Sequence, residues 1–101
     1  MDNLLKIGIS QDTIDNMINA NGVFNVDELD ANYNNTNRIL TILKQLRIGQ
    51  ETIDLLLVNY IDLFLMDYNK FISKLRYADL SEVSFSINNN LDAVEDIFLN
   101  D

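Results

Sequence analysis

The chain has no histidine, no cysteine and no proline, and only three glycines. Without His or Cys it cannot build Ser-His or Cys-His nucleophilic systems, thiolate chemistry, disulfides or the usual zinc ligand sets. Carboxylates alone could bind a hard cation, but none are ordered for it. Asp27, Glu28 and Asp30 lack the alternating oxygen ligands, the turn glycine and the terminal Glu of a calcium loop. Asp92, Glu95 and Asp96 lack them too, and both groups read as solvated helix faces. No glycine-rich loop is present to cradle a phosphate. The expectation is a non-enzyme with no catalytic residue, no metal and no cofactor.

Long apolar runs are also missing. The most apolar stretch, residues 53–66, is interrupted by Asp54 and Asp62 and falls short of the roughly 20 apolar residues of a membrane span. No apolar run follows a basic segment near the start, as a signal peptide would require. These features predict a soluble, cytoplasmic protein without a membrane partner.

Positive charge is scarce and unevenly placed. Seven Lys and Arg face sixteen Asp and Glu, for a net charge of −9. Residues 1–37 hold one basic and six acidic side chains, residues 38–76 six basic and four acidic, and residues 77–101 six acidic and none basic. Acidic ends thus flank a mildly basic middle. Most of such a surface repels phosphates, so nucleic acid is disfavoured and another protein, a basic one most easily, is the expected partner.

What is present is a chain of 101 residues, 48% hydrophobic, enough for one domain with a single core. Its apolar residues recur at three- and four-residue spacing. A first helix is expected over residues 3–7, closed by Gly8. Ser10 then caps a second helix through about Ala20, with Asp12 in its first turn. Gly22 should end that helix in a left-handed conformation, with Val23 and Phe24 packing back. Asn25 is the next candidate cap, for a short helix through Val26, Leu29 and Ala31. The run Asn-Tyr-Asn-Asn-Thr-Asn, residues 32–37, reads as a loop. From Thr36 an amphipathic helix runs to Gly49.

Residues 53–64 are apolar nearly all round the helix. This predicts a central helix, or one covered by a second copy in a homodimer. Residues 50–77 contain nothing that forbids one helix of twenty-odd residues; the preferred alternative is a break near residues 61–67, with Asp67 capping a new helix. In residues 81–87, Val83, Phe85 and Ile87 alternate with polar residues like a strand. A lone short strand has nothing to pair with, so an irregular or helical turn is preferred. Leu91, Val94, Ile97 and Phe98 then share one face of an acidic C-terminal helix over residues 88–101. The resulting fold is all-α: five to seven short helices in two to three stacked hairpins around one central apolar helix.

Two stretches echo each other at an offset of thirty-nine residues: IGISQDTIDNMI from Ile7 and LRIGQETIDLLL from Leu46. They align Ile9 with Ile48, Gln11 with Gln50, Ile14 with Ile53 and Asp15 with Asp54, and they place Ser10 opposite Gly49. A helix, tight turn and helix would recur at a spacing typical of helical repeats. A repeat requires Ser10 and Gly49 at equivalent helix starts, and Ile14 and Ile53 at equivalent core positions. A third, degenerate unit is expected from Leu75 onward.

The pattern Leu-x-x-apolar-Gly-Ile-Ser followed by Ile-x-x-apolar-Ile resembles the repeat of mitochondrial transcription termination factors. LLKIGIS and INANGVFNVDEL match a first unit, and LKQLRIG and LLVNYIDLFLMDYNKF a second, within the first three-quarters of the chain. The family's proline is absent, with Gly22 near its place, and Arg47 stands where the first Gly is expected. The resemblance implies a helical-repeat architecture. The family binds nucleic acid along a basic concave surface, which an acidic chain does not reproduce.

Five cations on two predicted helices, Lys44 and Arg47 on one and Lys70, Lys74 and Arg76 on the other, form the one candidate basic patch. Pairing with nearby acids is the plainer use for them. Tyr33, Tyr60, Tyr68 and Tyr77 suit a contact surface. The function expected is protein–protein interaction, as a small adaptor or regulator of bacterial, phage or mobile-element origin. One alternative is an acidic DNA mimic seated in the basic groove of a DNA-binding enzyme. Another is nucleic-acid binding by the helical-repeat surface, which needs the five cations to converge.

Overall fold

Gly8 decides how the chain first turns. At φ 97° it stands just past α1 (Asp2–Lys6), a conformation open to glycine and costly for other residues. Ile9 N–H returns to Leu4 C=O and Gly8 N–H to Leu5 C=O, each at 3.1 Å. These two bonds form the Schellman closure of a helix. Ser10 accepts from Thr13 N–H and opens α2 (Gln11–Asn21), as its sequence position foretells.

Thirty-nine residues later the same device recurs. At the end of α4 (Tyr33–Gln45), Ile48 N–H returns to Leu43 C=O at 3.1 Å and Arg47 N–H to Lys44 C=O at 3.0 Å. Gly49 is then the N-cap of α5 (Gln50–Asn59), in the same extended conformation as Ser10. Gln11 bonds Asp15, and Gln50 bonds Asp54, both at 2.9 Å. Leu4 and Leu43, Ile9 and Ile48, Ile14 and Ile53, and Met17 and Leu56 are all buried. Both conditions for a repeat are met.

Arg47 takes the place of Gly8 with φ 61°, a left-handed position that strains an L-residue by roughly 1–2 kcal/mol. Part of this is offset because glycine loses more entropy on folding. Arg47→Gly is therefore expected to stabilise the protein by about 0.5–1 kcal/mol, and Gly8→Arg to destabilise it by a similar amount. Urea denaturation followed by circular dichroism reads both.

The computed structural model describes residues 1–100. Among them are eight α-helices and one π-helical turn, with no strand. All-α holds, and the helices outnumber the five to seven expected. After α2 come α3 (Val23–Ala31), α4, α5, α6 (Ile61–Leu65), α7 (Tyr68–Leu75) and α8 (Leu80–Asn89). The π-helical turn Glu95–Leu99 closes the described chain. The two units pack alike internally: α1 and α2 lie on α3, and α4 and α5 lie on α6. They join through α2 against α5 and α3 against α6, while α7 covers α4.

Several local expectations are corrected. Gly22 has φ 85° but ψ 154°, so the chain leaves it extended, and α3 starts at once. Val23 and Phe24 do not pack back but lie exposed. Asn25 is inside α3 and donates to Asn21 C=O at 2.9 Å, so it is no cap. The asparagine run at residues 32–37 is not a loop, because Tyr33 already begins α4. Asn propensity is a weak force against tertiary use: Thr36 is fully buried, and Asn35 works on another helix pair. Asn35 Nδ2 donates to Met66 C=O at 2.9 Å, and its Oδ1 accepts from Tyr68 N–H at 2.8 Å. Asn35 thereby ties the start of α4 to the break between α6 and α7.

That break lies where expected, with the Asp67 carboxylate accepting from Asn69 N–H. A second break at Tyr60 (φ −134°, ψ 54°) was not foreseen. It divides the supposed central helix into α5 and α6, turning Ile61, Leu63 and Phe64 all into the core. The 53–64 stretch is thus central, and of its large side chains only Leu55 is mostly exposed. Its other apolar side chains are buried or partly buried within the chain.

Residues 80–89 are neither strand nor irregular turn but the ten-residue helix α8. Val83 and Ile87, four apart, are buried, while Phe85 between them points out at 70% exposure. Asp79 caps α8 by accepting from Ser81 and Glu82 N–H. Asp79 with Glu82 three residues on is an N-terminal signature of the capping-box kind. With α7 it forms a third helix–turn–helix, without the left-handed turn of the first two. The C-terminal segment keeps Val94 and Phe98 in the core but winds as a π turn, with Asn100 N–H on Glu95 C=O at 2.8 Å. Asp101, the last residue of the helix expected there, lies outside the described residues.

Tyr60 also ties that segment down, its hydroxyl donating to the Asp92 carboxylate. Hydrogen bonding to Asp92 foremost, with desolvation and Glu95 adding, raises the phenol well above its ordinary value, which is about 10. The folded state therefore holds this proton more tightly than the unfolded chain does. The stability it contributes is complete below about pH 10 and is lost as the pH climbs toward the folded value. Tyr60→Phe is expected to flatten the alkaline fall in stability and to remove the latest-rising phenolate absorbance from a spectrophotometric titration.

Candidate functional site

The five cations read as a basic patch have different surroundings. Lys74 Nζ reaches Asn100 C=O at 3.3 Å, toward the C-terminal turn, and Lys70 precedes it by one turn of α7. Arg76 instead lines a hollow between α4 and α7. Lys44 and Arg47 are exposed at the C-terminal end of α4. A sixth cation, Arg38, lies over the ring of Tyr68 at 3.8 Å, bridging α4 to α7. Asp30, read with Asp27 and Glu28 as solvated, is half-buried and accepts from Leu4 N–H at 3.1 Å, so it caps α1 from α3. Among the described residues no group of three or more acidic side chains is placed to hold a metal ion, and no helix is long and apolar enough to cross a membrane.

The surface feature that stands out is a groove. Ile42, Leu46, Ile72, Leu75 and Leu80, with Gln45 and Arg76, line a hollow of about 290 Å³ between α4, α7 and the start of α8. Gln45, Leu46 and Leu80 also line a wider hollow of about 510 Å³ running along α8 past Ser84, Phe85 and Asn88. The two hollows share those residues and form one continuous trough. Of all the described helices, α8 packs least closely against the others. Val83 and Ile87 anchor it. Asn88 pins its far end to the α4–α5 turn, accepting from Gly49 N–H at 3.0 Å and donating to Arg47 C=O at 3.2 Å.

Local periodicity explains the trough. On α4, Arg38, Ile42 and Gln45 follow at helical spacing, and on α7 Tyr68, Ile72 and Leu75 do the same. These two rows face each other across the seam. The turn between α7 and α8 leaves Tyr77 at 93% and Leu80 at 49% exposure. A patch of exposed aromatic and aliphatic surface beside a hollow is what interaction sites look like. Phe24, also exposed on α3, lines none of the hollows described here.

Sequence reading missed Arg38, Leu80 and Phe85 as site residues. The signal for Phe85 was available: with α8 drawn as a helix from its Asp79 cap, Val83 and Ile87 take the buried face and Phe85 must leave it. Comparison with family models, curated proteins and solved structures finds no match to this chain.

Proposed function

We propose that the protein acts without catalysis, by protein–protein interaction, and that the trough between α4, α7 and α8 receives an apolar helix face of its partner. The observation that carries this reading is Phe85, a large aromatic at 70% exposure on the least tightly packed helix, beside an apolar hollow. A helix laid in a groove is a recurring recognition mode, anchored by side chains at three- and four-residue spacing. The ten residues of α8 span about 15 Å, room for two to three turns of a partner helix.

A library of displayed helical peptides selected on the folded protein tests this. Binders are expected to lose tenfold or more in affinity on Phe85→Asp, because burying a Phe is worth about 1.5–3 kcal/mol and 1.4 kcal/mol is a factor of ten. Phe24→Asp is expected to leave them unchanged. Both residues are exposed, so circular dichroism should show both variants folded. Binders indifferent to Phe85→Asp, or lost on Phe24→Asp, would move the site elsewhere.

A further inference from the structure

We propose that the occupant of the trough is an acidic amphipathic helix of another protein, its apolar face on the trough floor and its carboxylates on the arginines around it. This rests on the reading of the trough as a docking site and adds the charge of what docks. The chain carries sixteen Asp and Glu, fifteen of them among the described residues, and none of those fifteen lines either hollow of the trough. Other surface hollows do carry acids: Glu28 and Asp67 in one, Glu51 and Asp54 in another, Glu82 in a third. Asp79 spends its carboxylate on the N–H groups of α8, and Glu82 lines an adjoining hollow that meets the trough at Ser81 and Phe85.

Cations mark the trough instead. Arg76 is in its wall. Arg38, stacked on Tyr68, stands one helical turn before Ile42 of the wall. Arg47 follows Leu46 of the wall, and its carbonyl is held by Asn88. Arginine suits this position because its planar guanidinium forks onto carboxylates and stacks on aromatic rings. On a chain of net charge −9, an acidic helix is repelled over most of the surface and accepted only here, so charge fixes where and how it docks. A basic helix would be attracted more strongly to the rest of the molecule than to the trough.

The same displayed library, with wild-type protein as bait and the Phe85→Asp protein as counter-selection, decides the matter through the charge of the enriched sequences. The expected result is amphipathic sequences of net negative charge. By fluorescence anisotropy, a chosen binder should then weaken roughly five- to tenfold on Arg76→Glu or Arg47→Glu. The same binder with its Glu residues changed to Lys should strengthen on those substitutions. Phe85-dependent binders of neutral or positive charge would overturn the charge assignment and leave the docking reading intact. Failure to enrich any Phe85-dependent binder would overturn both.

Discussion

Phe71→Ala is expected to destabilise the protein by about 3–5 kcal/mol, the usual loss for truncating a buried aromatic. Phe71 is fully buried on α7, and its ring stacks on Phe98 with centroids 4.6 Å apart and planes within 8°. Such pairs add about 0.5–1.5 kcal/mol to what area alone provides. The stack joins α7 to the C-terminal π turn, whose other fully buried residue is Val94, just before it. A domain this size has a total stability of about 5–15 kcal/mol, so the variant should melt roughly 12 °C or more below the wild type. Phe98→Ala should behave similarly, and the double variant should lose less than the sum, since the two rings share one contact. A loss below about 1 kcal/mol for Phe71→Ala would contradict the packing described, being typical of surface sites.

Ile14→Ala and Ile53→Ala carry the second large effect. Each residue sits four positions after its helix cap and is buried to the last per cent, on α2 and α5, which pack together. Each truncation should cost about 2–5 kcal/mol through lost burial and the cavity left behind. Because the two positions are equivalent in the repeat, their losses should agree within about 1 kcal/mol. Leu55→Ala, at a site 52% exposed on the same helix as Ile53, should change stability by no more than about 0.5 kcal/mol. Chemical denaturation of the three variants makes the comparison. A near-neutral Ile53→Ala would show that the second unit does not build its core as the first does.

The repeat was legible because it rests on local rules. A cap at Ser10, a turn at Gly8 and apolar residues at helical spacing are written in neighbouring positions, and the second copy restates them. Asp67 as a cap was legible for the same reason. What stayed hidden depends on residues far apart in the chain. Asn35 belongs to a helix because its amide serves Met66 and Tyr68, thirty-one and thirty-three residues on. Tyr60 breaks a helix with no glycine or proline nearby, in a place where Asp92 receives its hydroxyl. Arg47 in a left-handed turn looked like a departure from the pattern, yet the turn is kept and the residue bears the strain.

The candidate site divides the same way. Six cations in the middle segment were visible as a count, five of them read as a patch, but helix packing sends Lys74 toward the C-terminal turn and Arg76 into the trough. Arg38 joined the site only once Tyr68 was seen beneath it. Phe85, the residue on which the functional proposal turns, was hidden by an alternation that imitates a strand. An i, i+4 pair with an exposed aromatic between its members gives that same alternation.

Backbone amide shift mapping by NMR, with a selected helical peptide titrated into the labelled protein, tests the central proposal most directly. The account predicts shifts that saturate with the peptide and are confined to the second half of α4, to α7 and to α8, with the Phe85, Asn88 and Arg76 amides among the largest. Shifts centred on α2 and α3, around Phe24, with α8 unmoved would contradict it.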